Sequence, residues 1–119
     1  MSPTSRPTGP AAAALFGMGV GLLSLAASHM LSEVSEPFKR AMQDLGNRWI
    51  PGAEGIGPYS GKETTALLVW LLSWALLHLT LRRRDANVVV AGVVAYLLAG
   101  TATTLLWPPI THVVVERLR

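Results

Sequence analysis

No cysteine occurs in the 119 residues, which removes disulfides, thiolate metal sites, iron–sulfur ligation and a cysteine nucleophile together. Charge is scarce as well. Only 14% of residues are Asp, Glu, Lys or Arg, where a soluble domain carries about a quarter. The shortage is localised: the runs 11–31, 64–81 and 88–107 contain none of the four. At a rise of about 1.5 Å per residue, some twenty apolar residues cross the hydrocarbon core of a bilayer. The missing charge therefore marks lipid-facing segments rather than a soluble core.

Other things are missing that particular functions require. Apart from His78, no ionisable side chain lies deep in an apolar run, so a proton relay or ion pathway lacks its usual groups. The three runs show no internal symmetry of the kind that builds an alternating-access transporter. Their serines and threonines have no histidine and carboxylate beside them for a nucleophilic triad. The net charge of +3 comes from basic residues at the ends of apolar runs and forms no stripe with interleaved aromatics, so nucleic acid is not expected as a partner. Nucleotide is excluded too. Gly61-Lys62 superficially matches a phosphate-binding loop, but Ile56 stands where the first glycine belongs and Glu63 where serine or threonine belongs.

What is present organises into one small domain. Residues 1–10 (MSPTSRPTGP) are rich in proline, serine and threonine and read as a flexible tail. Run 11–31 is too long for the apolar part of a signal peptide and is preceded by only one charge, Arg6. It reads as the first transmembrane helix. Gly17 and Gly21 form a G-x-x-x-G pair in it, extended by Ser24 and Ser28. Small residues at this spacing let a second helix backbone approach closely, although glycine and alanine are also simply common in membrane helices.

Residues 32–63 are polar. Ser35 is suited to cap a short helix, with Glu36 and Pro37 in its first turn and Gly46 past its end. Phe38, Ala41, Met42 and Leu45 share one face of that helix, while Lys39, Arg40, Gln43 and Asp44 share the other. This is the pattern of a helix lying at the membrane surface or against a partner. The stretch 49–62 (WIPGAEGIGPYSGK) then reads as successive turns, with Trp49 and Tyr59 suited to the headgroup layer.

The second membrane run, 64–81, ends in Arg82-Arg83-Arg84, and the third, 88–107, ends at Pro108-Pro109. Gly92, Ala95, Ala99 and Thr103 offer a second small-residue packing stripe. The short connection 82–87 makes the last two membrane helices an antiparallel hairpin, and 108–119 is left as a tail. By the positive-inside rule the arginine triplet is cytoplasmic. That places the N-terminus inside, and the loop 32–63 and the C-terminus outside. The fold class is an all-α membrane protein with three transmembrane helices and a short amphipathic interfacial helix between the first and second.

Two groups of residues could carry chemistry. Trp70, Trp74 and His78 follow at four-residue spacing on one helical face. An imidazole there could ligate haem iron or the magnesium of a chlorophyll-type pigment, with the tryptophans against the macrocycle. The competing reading is an interfacial histidine hydrogen-bonded to a neighbouring subunit or water. His29, Glu33 and His112 would lie at the outer face, where two imidazoles and a carboxylate could bind zinc or copper. Alternatively they form a polar cluster anchoring helix ends.

With little chemistry and much packing surface, the expected role is a small non-catalytic accessory subunit of a larger bacterial inner-membrane complex, in the company of other integral subunits and lipids. A photosynthetic or respiratory complex is the narrower form of that expectation. The alternatives are a cofactor protein built on His78 and a transport or sensor protein with a ligand-binding outer loop.

Overall fold

The computed structural model describes residues 6–118. Residues 1–5 of the expected tail lie outside the described residues, but 8–10 belong to the fold. Five α-helices follow in order: α1 (Gly9–Val34), α2 (Glu36–Asn47), α3 (Tyr59–Leu81), α4 (Val88–Leu106) and α5 (Pro108–Leu118), with one 3₁₀ turn at Ala53–Ile56 between α2 and α3. No strand occurs among the described residues. Helices α1, α3 and α4 are long and apolar enough to cross a membrane.

The three long helices form a layer rather than a bundle, with overall extents of 54 × 32 × 18 Å. Helix α1 lies in the middle, packed on α3 along one flank and on α4 along the other, while α3 and α4 do not touch. The expected hairpin of the last two membrane helices is thus opened out. They remain sequence neighbours, but the connection 82–87 passes around the start of α1. Residues 82–84 turn at the end of α3, and Arg84, Asp85 and Ala86 then run past Thr8 and Gly9.

Small residues on α1 account for its central place. A Cβ on Gly17 would stand 2.9 Å from Trp74 Cβ, and one on Gly21 would stand 2.6 Å from Trp70 Cβ. On the other flank, a Cβ on Gly19 would stand 2.8 Å from Leu98 Cδ1. In lipid, such close backbone approach supplies the van der Waals contact that drives helix association. The G-x-x-x-G pair therefore finds its partner within its own chain. Ser28, further along the stripe, is buried, and Ser24 is half-buried with its hydroxyl donating to Gly21 O at 2.7 Å.

The face used by α4 differs from the expected one. Ala91, Ala95 and Ala102 are buried, and Leu98 meets Gly19. Of the expected stripe only Ala95 lies on this face. Ala99 is half-buried, Thr103 is exposed, and a Cβ on Gly92 would meet nothing within 4 Å. Residue size alone did not separate the side toward α1 from the opposite side, because small residues occur on both.

A polar clasp holds the start of α1. Gly9 N donates to Arg84 O at 2.8 Å, and Thr8 N donates to Asp85 Oδ1 at 3.1 Å. Thr8 Oγ1 donates to Ala86 O at 2.7 Å and accepts from Ala86 N at 2.8 Å. Helix N-termini leave amide groups without intrahelical partners, and here the α3–α4 connection supplies acceptors for two of them.

At the opposite end, Ser35 closes α1 and opens α2. Its backbone N–H donates to Leu31 O at 2.8 Å, and its hydroxyl accepts from Phe38 N at 3.3 Å, the N-cap bond expected of serine. Helix α2 packs on α3 through a tight crossing. A side chain on Gly46 would collide with Ser60, and one on Gly61 would collide with the Met42 carbonyl. Gly46 therefore lies inside α2 rather than past its end, and Gly61 lies inside α3 rather than in a turn. Helix α3 begins at Tyr59, five residues before the expected 64. Between α2 and α3, Gly52 (φ 79°) and Gly57 (φ 67°) flank the 3₁₀ turn in backbone conformations that other residues adopt with strain.

The C-terminal segment is the clearest departure from a tail. Pro108-Pro109 end α4 and begin α5. Proline lacks the N–H that a helix interior needs, but the first turn has no use for it. Trp107, held extended at ψ 123° before the prolines, makes the corner. Thr111 and Val115 are the buried residues of α5, and Thr111 Oγ1 donates to Leu105 O.

Candidate functional site

Helix α1 runs antiparallel to α3 and parallel to α4, so one end of the layer collects the last turns of α1 and α4, the first turns of α3, and α5. A cavity of about 620 Å³ opens there. Helix α1 contributes Leu25, His29 and Glu33; α3 contributes Tyr59, Lys62 and Glu63; the end of α4 and α5 close the third side.

Lys62 is the most unusual residue of this cavity, being only 2% exposed. Its Nζ lies 3.1 Å from Nδ1 of His29 and 4.5 Å from the centre of the Tyr59 ring. An ammonium group only donates, so this contact requires a lone pair on Nδ1. The His29 ring is then neutral, with its proton on Nε2. The Tyr59 ring face supplies cation–π attraction. Glu33 is close enough to act electrostatically on both Lys62 and His29.

His29, Glu33 and His112 line one cavity. Among the described residues, however, no group of three His, Cys, Asp or Glu side chains is placed to hold a metal ion. The lone pair that His29 Nδ1 would offer a metal is directed at Lys62 instead. Sequence reasoning overlooked Lys62 as a site residue because it sits between glycine and glutamate at the end of what read as successive turns. The signal available was its four-residue spacing from Pro58, at the start of a helix beginning with Tyr59.

The other expected group sits in the layer itself. Trp70 and Trp74 stand over Gly21 and Gly17, so the α3 face that they share with His78 is turned toward α1. The His78 and Trp74 rings lie 6.1 Å apart, tilted by 53°, and His78 is half-buried near the arginine end of α3. Trp70 also borders a second, apolar cavity of about 170 Å³ between α1 and α3. The tryptophans thus have a packing role against the α1 glycines whether or not a macrocycle is ever present.

Comparison with protein-family models, with curated proteins and with solved structures finds no match.

Proposed function

We propose that this chain is a small non-catalytic subunit of a larger complex in a bacterial inner membrane, with its N-terminus cytoplasmic. The observation that carries this reading is Tyr96. It lies near the middle of α4, is 78% exposed, and faces away from α1 without a hydrogen bond in the described part of the chain. In the hydrocarbon region a phenol without a partner is costly. A neighbouring protein on this face would supply the missing acceptor. Gly92 and Gly100, one turn to either side, each have open space where a Cβ would be, which suits them to receive another helix. An energy-converting complex, photosynthetic or respiratory, is the narrower form of the proposal. Native electrophoresis of gently solubilised membranes tests the reading: the chain migrates with larger partners, and Gly92→Leu releases it while leaving its own helices folded. Migration of the wild-type chain by itself would overturn it.

The second reading, a haem or pigment protein built on His78, draws on the packing of His78 beside Trp74. Its distinguishing sign is a visible absorption band that depends on His78.

A further inference from the structure

The clasp at the start of α1 also gathers charge. Arg82, Arg83 and Arg84 follow the last residue of α3, and all three are exposed. Arg6, exposed as well, stands two residues before Thr8, whose amide and hydroxyl are bonded to Asp85 and Ala86. Two residues span at most about 7 Å, so a fourth arginine is tethered beside a triplet that lies far away in the chain. None of the four guanidiniums has an ion-pair or hydrogen-bond partner among the described residues. The single carboxylate at this end, Asp85, has one oxygen engaged by the Thr8 amide at 3.1 Å. The opposite end of the layer is nearly balanced, with five basic and six acidic side chains among the described residues. Directly below the arginines the surface is apolar: Leu76 and Leu79 of α3 and Val89 of α4 are exposed. Arginines standing where such a surface stops lie at the level of a bilayer's phosphates.

We propose that this end of the layer binds an anionic phospholipid, one whose phosphodiester is not offset by a headgroup ammonium. The phosphate is gripped from two elements, by Arg6 on the segment leading into α1 and by Arg83 and Arg84 on the connection after α3. Charge selects this occupant. Four unpaired guanidiniums repel one another, and each presents paired N–H donors that match phosphate oxygens. A zwitterionic headgroup would bring a further cation into the same field. A soluble phosphate would satisfy the arginines but leave the apolar surface below them uncovered, so the phosphate is that of a lipid. The proposal is independent of the subunit reading, since it concerns neither the outer face of α4 nor which side of the membrane the arginines occupy.

The test is native mass spectrometry of the full chain released from vesicles containing equal amounts of phosphatidylglycerol and phosphatidylcholine, a mixture present in both leaflets. Retained phosphatidylglycerol is expected to outnumber phosphatidylcholine. Arg6 and Arg117 are both exposed and lie at opposite ends of the layer. Replacing either by glutamine removes the same charge and should leave the fold intact, which helicity by circular dichroism checks. Arg6→Gln should lower the enrichment about fivefold, the effect of one arginine beside an anionic lipid surface, and Arg117→Gln should leave it unchanged. Retention of the two lipids in the proportions of the vesicle would overturn the proposal. Equal enrichment in the two variants, whether lowered or not, would overturn the site, because the effect would then belong to the net charge or to the triplet alone. Displacement by glycerol 3-phosphate as readily as by added short-chain phosphatidylglycerol would overturn the lipid as the source of the phosphate.

Discussion

A side chain at Gly21 would have to share space with Trp70, whose Cβ stands 2.6 Å from the nearest position available to it. Gly21→Ile should therefore push α1 away from α3 and destabilise the chain by about 1–3 kcal/mol, the usual cost of overpacking. Denaturant titration in mixed micelles would measure this. Gly100→Ile, where nothing lies within 4 Å, should leave the same titration unchanged. Lys62 provides a second residue-scale case. His29→Ala leaves a buried ammonium short of an acceptor and should cost about 1–3 kcal/mol, whereas His29→Gln keeps an acceptor oxygen and should lose less. The difference between the two variants in the same titration isolates the hydrogen bond. At His78, replacement by glutamine preserves hydrogen bonding but not a good metal donor. On the subunit reading the absorption spectrum of the purified complex is unchanged; loss of a haem or chlorophyll-type band would favour the cofactor reading.

At the level of elements, α2 was legible because its determinants are local: a serine cap, a proline in the first turn, and two faces of opposite polarity within twelve residues. The three spans were legible because lipid imposes length and apolarity on each segment separately. Their neighbours were not. Which side of α4 meets α1 depends on Leu98 fitting against Gly19, a match between residues far apart in the chain that helical spacing does not encode. Helix α5 escaped notice because a double proline reads as a stop, although it serves equally as a start. The candidate site was half legible for the same reason. His29, Glu33 and His112 share a cavity, but the lysine among them depended on α3 starting early. The clasp at Thr8 makes the element-scale prediction. Thr8→Val removes two hydrogen bonds made by its hydroxyl and should cost about 1–3 kcal/mol. Hydrogen exchange should quicken at the amides of Gly9 and Ala86 but not at Phe38, at the far end of the layer.

For the molecule as a whole, the ends of the layer differ in kind. The arginine triplet and the clasp occupy one end; α2, α5 and the cavity occupy the other. Single cysteines introduced at Pro7 and Gly55, both exposed, report on the two ends in a chain that has no cysteine of its own. In intact spheroplasts an impermeant thiol reagent should label position 55 and spare position 7, and the reverse pattern would invert the orientation. The central place of α1 also constrains biosynthesis. Being first in sequence, α1 reaches the bilayer before either helix that will flank it, with both glycine-bearing sides still facing lipid. The later pair cannot then be inserted as a closed hairpin, since the seat between them is already taken. They must straddle a helix that is waiting, and the Thr8 bonds, which join residues 77 and 78 positions apart, form only after translation has passed residue 86. A ribosome stalled before that point would expose a helix with one flank permanently bare, a natural substrate for membrane quality control.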